Sequence, residues 1–375
     1  MTRLADYTTL GLGGPARSFV VAASESSLVS AVREADAARS PVLILGGGSN
    51  LVVADSGFPG TVVHVASRGL RFSAVDESRV DVTVAAGEDW DGVVAATVAE
   101  GLAGLECLSG IPGRAGATPV QNVGAYGQEV AEVITQVRVY DRVDGRLLTL
   151  PNDQCGFTYR DSLFKSVPDR YVVTEVTFRL YAEQLSRPVK YAELAAELGV
   201  EAGDRAGIGE VRSGVLKIRA RKGMVLDAGD PDSRSAGSFF TNPVLSASQF
   251  ARIEEAAAGL PARAGLPAAG LAAAGLAASA DKAAGPGGVR VPRFEAGSGR
   301  VKVPAAWLIE HAGFAKGYGA PGPARVSSKH TLALVNAGDA TTADLLALAR
   351  EIVGGVRAAF GVTLTPEPIL VGVTL

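Results

Sequence analysis

Leu108-Ser109-Gly110-Ile111-Pro112-Gly113-Arg114-Ala115-Gly116-Ala117-Thr118-Pro119-Val120-Gln121-Asn122-Val123-Gly124-Ala125-Tyr126-Gly127 is a ribbon of twenty residues with little periodicity. Its glycines let the backbone approach a flat ligand closely, and its prolines fix the path. Gln121, Asn122 and Tyr126 offer hydrogen bonds and an aromatic face. A loop this long inside a compact domain is usually functional. Upstream, Gly46-Gly47-Gly48-Ser49-Asn50 follows the wholly apolar run Pro41-Val42-Leu43-Ile44-Leu45, the place where a phosphate-cradling loop belongs. Leu51 stands where a dinucleotide fingerprint needs its third glycine, and no Gly-Lys-Ser/Thr occurs. Two readings remain for this loop: a backbone nest for a pyrophosphate, helped by Ser49 and Asn50, or a glycine-rich hairpin. A third cluster, Leu10-Gly11-Leu12-Gly13-Gly14-Pro15, lies near the N-terminus. Three such loops in the first 127 residues suit a large cofactor held mainly by main chain.

Around these loops the chain reads as mixed α+β. Strands are expected at Phe19–Ala22, Pro41–Leu45, Leu51–Val53 and Thr61–Val65. A further one is expected at Arg79–Val84, whose alternation has period two. Ser24 opens a helix running to about Ala38, with Leu28, Val29, Val32 and Ala35 on one face. A second helix spans Trp90 to about Ala99, with Gly101 suited to end it. Val137–Tyr140, Tyr171–Phe178 and Thr331–Val335 read as strands. Thr342 to Phe360 reads as a long helix capped by Thr341 or Thr342. From Ala256 to Ala284 the chain is nearly all Ala, Gly, Leu and Pro. Glycines and Pro267 dilute this stretch too far for a membrane span, so it is expected to be a low-complexity surface insertion over about 256–288.

The length of 375 residues predicts two or three domains. Hydrophobic residues make up 47%, enough for sizeable cores, although much of that is alanine. A net charge of −3 with mixed signs argues against a nucleic-acid or membrane-surface protein. Cys107 and Cys155 cannot make a disulfide framework, and three histidines without a close cluster argue against a metal site. The N-terminus carries no apolar signal segment, so a cytoplasmic location is expected.

Seven stretches carry a resemblance: GLGGPA, LGGGSNLVVAD, LSGIPGRAGATPVQNVGAYGQEV, FTYRDSLFK, AGSFFTNP, PAAWLIEHAGFAKGY and LTPEPILVG. In this order they resemble the UDP-N-acetylenolpyruvoylglucosamine reductase (UDP-N-acetylmuramate dehydrogenase) family, and they span nearly the whole chain. The resemblance implies a vanillyl-alcohol-oxidase-type FAD domain of two subdomains, about 1–67 and 68–215. It also implies an α+β substrate domain over 216–360, and a tail over 361–375 that returns to the active site. FAD would be non-covalent and NADPH the reductant. The implied FAD contacts are Gly46, Gly47, Gly48, Ser49, Asn50, Leu51, Ser109, Gly110, Ile111, Pro112, Gly113, Gly116, Ala117, Gln121, Asn122 and Gly124.

The implied reaction, in peptidoglycan synthesis, reduces an enolpyruvyl ether to a lactyl ether. Hydride goes to the β-carbon and a proton to the α-carbon. Ser238 matches the family's proton donor, Arg160 a catalytic arginine whose planar fork suits a carboxylate, and Glu367 a catalytic glutamate. Thr365 stands where the family often has glutamate, leaving Glu367 the sole carboxylate of that motif. Tyr126, Tyr159, Tyr191, Lys222, Asn242 and His330 match contacts of the UDP-sugar, and Tyr191 points to the family's longer subtype. Lys222 ends the basic cluster Arg219-Ala220-Arg221-Lys222, which suits a diphosphate or merely a solvated helix face. His64 and His311 are expected to be structural. A monomer is expected. Two rivals stand beside this reading: an FAD-linked oxidase or dehydrogenase of a hydroxy acid or sugar on the same cofactor fold, and a nucleotide-sugar binding protein that has lost its flavin.

Overall fold

The computed structural model describes residues 1–260 and 289–375. Most of the expected Ala/Gly/Leu insertion lies outside the described residues; its first residues, Ala256–Ala258, close the helix Ala247–Ala258.

Ser24 starts the first helix, Glu25–Ala37, through a reciprocal cap in which Ser24 Oγ accepts from the Ser27 N–H at 3.1 Å. Leu28, Ala31, Val32 and Ala35 form its buried stripe, and Val29 is partly buried against the same core. This helix is the crossover of a parallel sheet in the order Ala16–Ala22, Phe58–Val65, Val42–Leu45. A second, antiparallel sheet runs Arg146–Pro151, Ile134–Asp141, Tyr171–Ala182, Arg79–Ala85, Leu70–Ala74. Its central strand Tyr171–Ala182 is buried almost continuously, as a strand covered on both faces must be. One apolar core joins the two sheets, with Val32 of the crossover helix and Val63 of the first sheet packed in the same cluster as Val82, Trp90 and Phe178.

Two helices, Ala192–Leu198 and Ile208–Arg221, form a small separate core with Cys107, Tyr126 and Val189. The expected boundary at 215/216 therefore falls inside a continuous helix. The last unit pairs Ser235–Ser238, Ala333–Asn336 and Ala324–Val326 beneath the helix Thr342–Phe360. Its strand starts at Ala333 rather than Thr331, because residues 330–333 are spent on a turn closed by the Ala333 N–H donating to His330 O at 3.0 Å. Leu10, Leu12 and Val52 belong to this unit's core. The C-terminal segment Ile369–Val371 pairs in parallel with Leu51–Val53.

The N-terminal glycine cluster is not a cofactor loop. None of residues 10–15 lines the cavity described below. Leu10 and Leu12 bury themselves instead, and a Cβ on Gly14 would lie 2.1 Å from Asp55 O. These glycines serve chain-on-chain packing. Among the described residues no helix is long and apolar enough to cross a membrane, and no group of three or more His, Cys, Asp or Glu gathers to hold a metal ion.

Candidate active site

The strand Val42–Leu45 delivers Gly46–Asn50 against the ribbon, and absent side chains allow the contact. A Cβ on Gly47 would lie 2.6 Å from Gly113 Cα, and one on Gly48, at φ +60°, 1.9 Å from Tyr7 O. The two loops are then sewn together. Ser49 Oγ donates to Pro112 O at 2.9 Å and Asn50 Nδ2 to Gln121 Oε1 at 2.6 Å. Both side chains are thus engaged with protein, and the nest they border is made of backbone.

These loops form one wall of a cavity of about 640 Å³, a volume ordinary for a ligand site. Gly46, Gly47, Gly48, Ser49, Asn50, Leu51, Ile111, Pro112, Gly113, Gly116, Ala117, Gln121 and Gly124 line it. Tyr126, Arg160, Tyr191, Lys222, Ser238, His330 and Glu367 complete the wall, so residues more than 300 positions apart converge. Ser109, Gly110, Asn122, Tyr159 and Asn242 do not line it. Ser109 Oγ donates to Glu106 O at 2.7 Å, and the Gly110 N–H to Asp91 Oδ1 at 2.6 Å. Asn122 Nδ2 donates to Glu129 Oε2 at 2.7 Å. These three shape the ribbon from behind. Asn242 Oδ1 accepts from the Ala305 N–H at 2.9 Å, at the start of the helix Ala305–His311. Tyr159 is exposed, with Lys302 Nζ 4.5 Å from its ring centroid.

Arg160 adopts φ +57°, a left-handed conformation unusual for a side-chain-bearing residue, as do Asn122 and Tyr126 beside it. Its Nη2 donates to Gly124 O at 2.8 Å, Lys165 Nζ donates to its carbonyl at 2.9 Å, and its Nε lies 3.4 Å from Glu367 Oε1. Glu367 is placed by its own backbone, whose N–H donates to Phe239 O at 2.9 Å beside the Phe240–Pro366 bridge. Burial raises its carboxyl above the ordinary range, opposed by the charges of Arg160 and Lys165. Ser238 ends the strand Ser235–Ser238 on the same wall.

At the other side Tyr126 and Tyr191 meet edge to face, with centroids 5.5 Å apart. Burial pushes the Tyr126 hydroxyl up to about 12 and raises Tyr191 further, so both stay protonated donors. Lys222 Nζ pairs with Glu193 Oε2 at 2.5 Å. Burial, then the charges of Lys222, Lys316 and Arg219, lower His330 to about 3, leaving it neutral. His64 packs against Tyr7 and Phe19, and His311 stacks on Trp307.

Several lining residues were not singled out from sequence. Arg219 is buried in the wall with its Nε unpartnered, and Arg114 Nε is likewise buried without a partner. Arg219 stood in the quoted basic cluster and Lys165 in FTYRDSLFK, but burial of a charge has no linear signature. These two unsatisfied donors, together with the Gly47–Gly113 approach, fit a cofactor that brings acceptors and lies flat on main chain.

Fold and site together fit an α+β enzyme in which glycine loops and a polar, partly charged wall border one cavity suited to a dinucleotide cofactor. A family model described as "FAD binding domain" matches residues 16–151, and one described as "UDP-N-acetylenolpyruvoylglucosamine reductase, C-terminal domain" matches 230–371. The UDP-N-acetylenolpyruvoylglucosamine reductase of Thermobifida fusca is 54% identical over 372 residues, covering 99% of this chain and 97% of the relative. That of Streptomyces coelicolor is 54% identical over 373 residues, covering 99% and 90%. The crystal structure of the Thermus caldophilus UDP-N-acetylenolpyruvylglucosamine reductase superposes with a TM-score of 0.60 at 24% identity, covering 99% of this chain and 97% of that one, and speaks to the fold alone. The chain belongs to the UDP-N-acetylenolpyruvoylglucosamine reductase family; it is an oxidoreductase and its cofactor is FAD.

Proposed function

We propose that this chain reduces the enolpyruvyl group of UDP-N-acetylenolpyruvoylglucosamine to the lactyl ether of UDP-N-acetylmuramate, with NADPH as reductant, in cytoplasmic peptidoglycan synthesis. The observation that carries the reading is the convergence of Ser238, Arg160 and Glu367 on the cavity that the glycine loops border. FAD, when bound, supplies the relay that takes hydride from NADPH and passes it to the β-carbon.

The chain's own groups handle the charge and the proton. Arg160 presents its guanidinium to the substrate carboxylate, where negative charge develops as the α-carbon becomes enolate-like. Its main-chain carbonyl, held by Lys165, and its Nη2, held by Gly124, keep the fork fixed before substrate arrives. Ser238 delivers its hydroxyl proton to the α-carbon. The near contact of Glu367 with Arg160 balances the wall's charge and restrains the guanidinium. Lys222, Tyr126, Tyr191 and the unpartnered Nε of Arg219 make a donor-rich face for the diphosphate and sugar. His330, neutral throughout the working pH range, serves as a hydrogen-bonding group and not as a charge.

The test follows flavin absorbance. NADPH bleaches it, and the enolpyruvyl UDP-sugar restores it. Ser238→Ala leaves the first step within about twofold and slows the second by roughly 10²-fold or more, the scale of general acid assistance. If NADPH bleaches no flavin, or the UDP-sugar does not restore it, the reading fails. Equal slowing of both steps removes Ser238 from proton delivery.

A further inference from the structure

The segment just ahead of the N-terminal glycines touches two parts of the site without lining the cavity. Thr9 donates its backbone N–H to Gly48 O at 3.2 Å, in the loop that borders the cofactor cavity. Its hydroxyl donates to Ser235 O at 2.6 Å, 226 positions away. Ser235 begins the strand that ends in Ser238, and that strand is bulged. Ser235 pairs with Val335 and Ser238 with Ala333, three steps against two. An extra residue of this kind re-aims the side chain that follows it. Gly237 supplies the left-handed residue at φ +70°, and its N–H donates to Ser235 Oγ at 3.2 Å. Ser235 thus holds the bulge with its hydroxyl, and Thr9 holds Ser235 by its carbonyl.

Thr9 is itself well anchored. Thr8 Oγ1 donates to Leu12 O at 2.8 Å. Leu10 is fully buried in the core of the last unit, and its carbonyl accepts from Asn336 Nδ2 at 2.9 Å. On the other side, Tyr7 O occupies the space a Cβ on Gly48 would need. Residues 7–10 therefore form one short, taut connection from the Gly46–Asn50 loop to the Ser235–Ser238 bulge.

We infer that Thr9 is a positioning residue for proton delivery, setting the Ser238 hydroxyl in register with the cofactor loop. The inference rests on the reading of Ser238 as proton donor. Proton transfer demands hydrogen-bond reach between donor and carbon at the moment charge develops, and small displacements are costly. Reduction by NADPH makes no such demand on the bulge.

Thr9→Val removes the hydroxyl at constant volume, and Thr9→Ser keeps it. In the FAD-loaded protein, T9V should slow reoxidation of the reduced flavin by UDP-N-acetylenolpyruvoylglucosamine about tenfold, the effect of one lost positioning hydrogen bond. Flavin content and reduction by NADPH should stay within about twofold, and T9S should recover most of the reoxidation rate. The inference is overturned if T9V leaves reoxidation unchanged, slows both steps alike, sheds flavin, or if T9S is as slow as T9V. Ser238→Ala measured alongside separates the two claims. Without a selective defect in S238A, the proton-donor reading falls and takes the strap with it. A selective defect in S238A but none in T9V removes the strap alone.

Discussion

Glu367 occupies a buried position on the cavity wall that costs stability. Its carboxyl is raised by burial, and the neighbouring charges of Arg160 and Lys165 only partly offset this. A folded-state value above the unfolded one means the native protein binds the proton more readily. Stability is therefore fully present below the unfolded value and falls as pH rises through the folded one. Glu367→Gln removes that loss. Its melting temperature should exceed the parent's at pH 7, and the difference should close by pH 4, while turnover drops by roughly 10²-fold. Scanning calorimetry at the two pH values checks the first part, and an unchanged or lowered Tm at pH 7 refutes it. The motif LTPEP named this residue from sequence, but its energetic burden was not legible there. Burial depends on folding, which brings Phe239 and Phe240, more than 120 positions upstream, against Glu367 and its neighbour Pro366.

At the scale of elements, the helix Thr342–Phe360 was plain from its ends and its stripe. Thr341 and Asp344 cap each other, and Gly361 takes the left-handed position that closes the helix, at φ +68°. Within it two adjacent glycines look alike in sequence and differ in space. A Cβ on Gly354 meets nothing within 4 Å, whereas one on Gly355 would lie 2.4 Å from Phe314 Cε2. Gly354→Ala should stabilise the protein by about 0.5–1 kcal/mol through backbone entropy. Gly355→Ala should destabilise it by about 1–3 kcal/mol, because the Phe314 ring must move in a packed core. Urea unfolding of the two variants decides this, and effects of the same sign would contradict the packing described. The short strands were harder to read. Ser235–Ser238 contains a glycine and a bulge, and so lacks the clean alternation that revealed Arg79–Ala85.

Across the whole molecule the flavin-binding and C-terminal parts interlock. Leu10, Leu12 and Val52 lie in the same core as Trp307. Asp55 caps the start of the last helix, accepting from the Thr342 N–H at 2.8 Å and the Ala343 N–H at 3.1 Å, while Thr342 Oγ1 donates to Val53 O at 2.7 Å. The strand Ile369–Val371 then adds a parallel edge to Leu51–Val53. Parts joined in this way should unfold together. Trp90 reports on the core between the two sheets and Trp307 on the last core. The single-tryptophan variants W90F and W307F, corrected for their own stabilities, should show tryptophan fluorescence and far-UV transitions with coincident midpoints. Two separated transitions would mean independent domains.

The order of motifs carried the family resemblance and, through it, the names of the catalytic candidates, while periodicity carried the α+β class. The motifs are written in residue types, and the fold class in local periodicity and capping pairs that act within a few positions of one another. Folding decided which candidates face the cavity and which brace it from behind, as Ser109, Gly110 and Asn122 do. It also withdrew the glycines of residues 11–14 from cofactor binding and turned the residues before them into a link to Ser235. Burial, desolvation and contacts between distant segments set these outcomes, and none of them exists until the chain has closed on itself.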